Sequence, residues 1–210
     1  MGRFLTRSFE ASDRLRGLLL GVMLLYAGSF AVGFWMSSAQ LPITVEFKET
    51  VMEAVATERP FTTVTEALEA DNPFLAIALT FVTNLAIGAF ASTTLPGVIP
   101  LLGGMGSLVI TVFRGWTVGV LYTEVFRVSP AATALSLGTL ILEFGAYVLS
   151  GAVGIDISLA PVFPERYGVD SRWDAFKSAW KNAAGVYVMV VILLALGALW
   201  EIGGLFLLMG

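Results

Sequence analysis

The sequence predicts an all-α polytopic membrane bundle of about five transmembrane helices, with a helical insertion on its outer side. Three observations carry this. Hydrophobic residues make up 57% of the 210 and charged residues 13%, whereas soluble chains carry about 25% charged residues and have the polar surface to face water. Five stretches hold the roughly 20 apolar residues that a helix rising 1.5 Å per residue needs to cross about 30 Å of hydrocarbon. Lys and Arg are shared unequally between the two sets of connecting segments, as the positive-inside rule requires. Mean hydropathy is +0.83.

The expected spans cover residues 17–37, 73–95, 107–126, 131–154 and 184–208, forming a single membrane domain over 1–210. The first has no charge in 21 residues, which reads as a span rather than a cleaved leader. Asn72-Pro73 opens the second as a cap followed by proline at the first helical position. The third carries Arg114 and Glu124, the fourth Glu143 and the fifth Glu201. Arg3, Arg7, Arg14, Arg16, Arg166, Arg172, Lys177 and Lys181 fall on one side, against Lys48, Arg59 and Arg127 on the other. This predicts a multipass cell-membrane protein with a cytoplasmic N-terminus and the C-terminus outside.

Residues 38–72 form the outer insertion, with seven acids against two bases. Phe47, Val51, Ala54 and Val55 recur at helical spacing as its apolar face. Pro60 ends that helix, and Thr63 with Glu66 reads as a capping box for a second. Glu46, Glu49 and Glu53 are the candidate partner-binding residues. On the inner side, residues 172–183 read as an interfacial amphipathic helix that sets Trp173, Phe176 and Trp180 at the acyl boundary. Between the second and third spans, residues 95–106 are apolar and broken by Pro96, Pro100, Gly97, Gly103, Gly104 and Gly106. They either re-enter the membrane as an unwound segment or close a tight loop.

Ionisable groups at membrane depth default to functional hypotheses because each is costly there. Ser136, Thr139, Glu143, Tyr147 and Ser150 fall on one stripe of the fourth span, and Arg114, Thr117 and Glu124 on one stripe of the third. Asn84 adds a polar group to the second. Lipid does not tolerate such stripes, so they face one another or water. The candidate intramembrane site is therefore Asn84, Arg114, Thr117, Thr139, Glu143, Tyr147 and Glu201. Arg114 needs an anion, carbonyls, water or headgroups, since a guanidinium does not deprotonate. Gly115-x-x-x-Gly119 and Gly17-x-x-x-Gly21, with Gly151 and Gly154, allow close helix approach, within the chain or across a homodimer.

The chain has no Cys and no His, which removes disulfides, thiol nucleophiles, Cys/His metal sites and a Ser-His-Asp triad. No metal, no cofactor and no enzymatic activity are expected. A net charge of −4 argues against nucleic acid as a partner. The expected surroundings are the lipid bilayer and a membrane or envelope protein.

Four short motifs stand in chain order. They are Thr83-Asn84-Leu85-Ala86, Arg114-Gly115, Glu143 followed by Ser150-Gly151-Ala152-Val153-Gly154, and Ala198-Leu199-Trp200-Glu201. With the order of spans and the acidic insertion, they resemble the stage II sporulation protein M family from about residue 73 onward. Such proteins carry an Asn-Asn pair where Asn84 stands, Asn-Gly where Arg114-Gly115 stands, and histidine where Thr139 stands. The resemblance implies a multipass membrane protein linked to envelope remodelling, whose founding member partners a cell-wall hydrolase complex. Two functions follow from the sequence. One is a membrane scaffold or complex subunit; the other is a small-solute or ion pathway along the buried polar stripes.

Overall fold

The structure, a computed structural model, describes residues 15–59, 61–125 and 129–209. Arg3, Arg7, Arg14, Pro60, Phe126 and Arg127 lie outside these residues. The described chain is 89% helical, holds no strand, and contains seven α-helices, of which five are long and apolar enough to cross a membrane. These are α1 (Arg16–Ser38), α4 (Pro73–Thr83, continued to Val98), α5 (Leu102–Val125), α6 (Pro130–Leu159) and α7 (Arg172–Met209). The short helices α2 (Pro42–Thr57) and α3 (Phe61–Glu69) form the insertion between α1 and α4.

Helix starts follow local chemistry. The Asn72 side chain accepts the Leu75 amide at 3.1 Å with Pro73 behind it, and Ser129 accepts the Ala132 amide at 3.2 Å with Pro130 behind it. In each case a side-chain oxygen satisfies an amide that the first turn leaves open. Ser171 does the same for Asp174. Thr63 instead lies inside α3, which begins at Phe61, so it does not cap that helix.

Helix α6 is the hub. Its second half carries Ala146, Ser150, Gly151, Ala152, Gly154 and Ser158, all buried. Small side chains here let neighbouring backbones close in, which is how helices associate when lipid supplies no hydrophobic drive between them. Added methyls at Gly151 and Gly154 would meet Thr111 and the Thr93 carbonyl respectively. Gly115 and Gly119 do the same for α1, facing Tyr26, Ser29 and Phe30. Gly17 and Gly21 have no neighbour within 4 Å and point away from the bundle.

Three elements differ from the sequence expectation. Past Thr83, α4 widens into a π-helix over Asn84–Thr94 and closes with a 3-10 turn at Leu95–Val98. Its i→i+5 pattern is rare at this length. The Pro/Gly segment closes in a tight turn, one of its two expected forms, with the Leu101 amide on the Ser158 carbonyl at 3.2 Å, but α5 begins at Leu102 rather than near 107. Gly103 and Gly104 are helical because they sit against Pro96 and Ser158, where a side chain has no room. Residues 172–183 are the first turns of one continuous helix of 38 residues. Within it Trp180 packs on Phe90 at 6.4 Å, and of the three aromatic residues in 172–183 Trp173 alone, 63% exposed, stands clear of the bundle.

Outside the spans, α2 rests on α5 through Phe47, whose ring lies 4.8 Å from Trp116. Val55, expected on the same buried face, is exposed. Helix α3 buries Ala67 against Ala76 and Ile202, with Val64 and Leu68 packed around them. The insertion therefore sits at the end of the bundle where α4 begins and α7 ends.

Candidate functional site

Four of the predicted intramembrane residues, Asn84, Arg114, Glu143 and Tyr147, come together where α4, α5 and α6 meet. Asn84 Nδ2 donates to Glu143 Oε1 at 2.6 Å. Asn84, Gly88 and Ser92, spaced four apart along the π-helix, share one face and meet α6 and α5. Arg114 stands midway along the 24-residue α5, deeper than a start near 107 suggested. Its Nη2 donates to the Gly88 carbonyl at 2.9 Å and to Ser92 Oγ at 3.1 Å, and its guanidinium carbon lies 3.9 Å from the Tyr147 ring centroid. Carbonyl, hydroxyl and π-face together hold the Nη2 side and the face of a cation that does not neutralise itself.

Arg114 stacks on Tyr147, one turn along α6 from Glu143, yet no ion pair joins Arg114 to Glu143 among the described residues. Arg114 Nη1 and the hydroxyl of Thr117, one turn further along α5, are buried without a partner. Glu201 lies one turn along α7 from Gly197 and makes no hydrogen bond with Glu143 among the described residues. The two acids share the α6–α7 seam, since a methyl at Gly197 would stand 3.6 Å from Glu143 Cγ. Thr139 back-bonds to the Leu135 carbonyl at 3.2 Å and joins no other site residue.

A second polar run lies below this cluster. Thr93 donates to Ser150 Oγ at 2.9 Å, Tyr187 donates to Thr94 Oγ1 at 2.7 Å, and Ser107 donates to the Thr93 carbonyl at 2.6 Å. Sequence reasoning named none of the α4 partners here, because a π-helix leaves no mark in hydropathy. The predicted partner-binding acids Glu46, Glu49 and Glu53 are exposed on α2. Trp173 and Phe176 stack at 5.5 Å, and Phe176 lies 6.3 Å from Trp180.

A family model described as Stage II sporulation protein M matches residues 22–202. The chain belongs to the stage II sporulation protein M family. The match runs from α1 through Ile202 and so takes in the insertion and the whole polar cluster of this family member. It is an integral, multipass membrane protein. No match is found among curated proteins or among solved structures.

Proposed function

We propose that this stage II sporulation protein M family member is a non-enzymatic membrane subunit of an envelope complex, with a rigid bundle that presents the outer insertion to a protein partner. The observation that carries this is the use made of polar groups. In the bundle they tie helix to helix, as Asn84 to Glu143, Arg114 to Gly88 and Thr93 to Ser150. On α2 they face outward, with Glu46, Glu49 and Glu53 beside exposed Ile43, Met52 and Val55. Mixed charge and apolar surface on a small, separately packed helix suits a protein contact better than open solvent. The charge asymmetry of the loops supports an N-terminus in the cytoplasm and the insertion outside.

Purification from native membranes into lipid discs, followed by mass measurement, tests this. A stoichiometric partner is expected, and it should be lost when Glu46, Glu49 and Glu53 are all replaced by lysine. A partner retained by that variant would exclude the insertion as its dock.

One observation favours a second reading, a proton or small-ion pathway. Arg114 Nη1 and Thr117 Oγ1 are buried without partners on the α5 stretch that stacks Arg114 on Tyr147, and buried unpaired donors carry a free-energy cost that a passing ligand or water would relieve. Glu143→Gln in proteoliposomes separates the two readings. Flux abolished by this change, in a protein that still folds, would support the pathway, and unchanged flux would remove Glu143 from any such role.

A further inference from the structure

At the end of the bundle away from the insertion, α1 begins, α6 stops and α7 starts. Between them lies a cavity of about 580 Å³ lined by Leu15, Asp156, Arg166, Tyr167 and Asn182. Its walls follow from the local sequence. Asp156 sits in the last turn of α6 and is 6% exposed, and the Tyr167 hydroxyl donates to its Oδ2. Tyr167 is placed there by the 3-10 turn Pro164–Tyr167, which reverses at Gly168 with φ +64°, a conformation that glycine adopts without strain. The same turn carries Arg166, exposed and close enough for its charge to act on Asp156, though the two form no ion pair. Asn182 approaches from the third turn of α7.

We propose that this cavity binds a group carrying both a phosphate and a primary ammonium, in the form of a phosphatidylethanolamine headgroup. Fixed charges of both signs line one pocket, so a zwitterion is complementary to it whereas a simple anion or cation is not. Neither the Arg166 guanidinium nor the Asn182 amide has a partner among the described residues. Both are donors suited to phosphate oxygens. Asp156 has a second carboxylate oxygen and lone pairs left for ammonium N–H groups. A quaternary ammonium has no N–H to give, and an anionic glycerol headgroup brings no cation to Asp156. The lipid source is favoured over a soluble one by position. Asn182 lines the pocket from the early turns of α7, which also carry Trp173, Phe176 and Trp180, side chains of the kind that settle at membrane–water interfaces, and Leu15 adds an apolar wall.

The test is native mass spectrometry of the full chain released from micelles holding equal amounts of phosphatidylethanolamine, phosphatidylglycerol and phosphatidylcholine. Phosphatidylethanolamine should be retained about ten-fold over the other two, as one charge-assisted hydrogen bond would give. Arg166→Gln and Asn182→Ala, at exposed and half-buried positions, should each reduce that retention, and Asp156→Asn should erase the preference over phosphatidylcholine. If Asp156→Asn fails to fold, the other two variants still decide the matter. Equal retention of the three lipids, or phosphatidylethanolamine held as strongly by Arg166→Gln as by the parent, would overturn the proposal. So would soluble phosphoethanolamine binding in phosphatidylcholine discs as tightly as the lipid is held, since the same side chains would then serve a soluble ligand.

Discussion

Asn84 donates to Glu143 across 2.6 Å, and this bond joins the first residue of the π-helix to the middle of α6. An acid inside a membrane bundle thus has a neutral amide, not a cation, as its direct partner. The arrangement suits Glu143 in either protonation state, because its Oε1 remains an acceptor in both.

The strength of that tie is measurable by a double-mutant cycle. Asn84→Ala and Glu143→Ala should show a coupling of about 0.6 kcal/mol, with about 1.7 as the ceiling for such pairs in membrane bundles. Glu143→Gln keeps an acceptor oxygen in place and should fall well short of Glu143→Ala in its effect. Unfolding of the four proteins in mixed micelles provides the numbers. A coupling near zero would make the contact incidental.

Arg114 should prove irreplaceable by lysine. Its guanidinium meets the Gly88 carbonyl, Ser92 and the Tyr147 ring at once, whereas an ammonium is a compact point donor that does not stack. Arg114→Lys keeps the charge and is expected to lower stability by about 2 kcal/mol, from one charge-assisted hydrogen bond and one ring contact. A Lys variant as stable as the parent would mean that charge alone matters at this position.

Much of this was legible in the sequence, and the misses have physical causes. Five spans, the proline-backed caps at Asn72 and the stripe of Thr139, Glu143, Tyr147 and Ser150 follow from hydropathy and a period of 3.6. Arg114 was placed too near a helix end because Gly103, Gly104 and Gly106 read as loop. All three are helical, and at Gly103 and Gly104 the glycine serves close packing, because Pro96 and Ser158 leave no room for a larger side chain. The cavity at Asp156 is out of the sequence's reach because a fourth span ending at 154 leaves the acid in a loop, whereas the helix runs on to Leu159. Gly168 and the neighbouring Arg166-Tyr167 were the available signal for a turn folding back.

Glycines of α1 and α5 should divide sharply by position. At Gly119 a new methyl would run into the Phe30 carbonyl and lie 2.9 Å from the Phe34 amide nitrogen, so the two helices must separate. Gly119→Ala is expected to cost about 2 kcal/mol, in the range of overpacked cores. Gly21 meets nothing within 4 Å, and Gly21→Ala should be neutral or stabilising by up to about 1 kcal/mol through reduced chain entropy. Loss of stability at Gly21, together with a fall in mass from dimer to monomer, would mean that a second copy packs on that face.

The insertion hangs from the bundle by a small polar clamp. Lys48 Nζ lies 2.7 Å from Glu124 Oε1 and donates to Thr123 Oγ1 at 2.8 Å, while Thr123 also bonds Ser37 at 2.9 Å. Glu124 is 54% exposed, and pairs open to water contribute only about 0–1 kcal/mol. Lys48→Met should therefore leave global unfolding nearly unchanged while amides of Pro42–Thr57 exchange faster with deuterium. The same change should weaken partner capture if α2 is the dock, because a loosened helix must be ordered again on binding. Unaltered exchange would assign the attachment of α2 to Phe47 against Phe113 and Trp116, and Phe47→Ala would then be the variant that frees it.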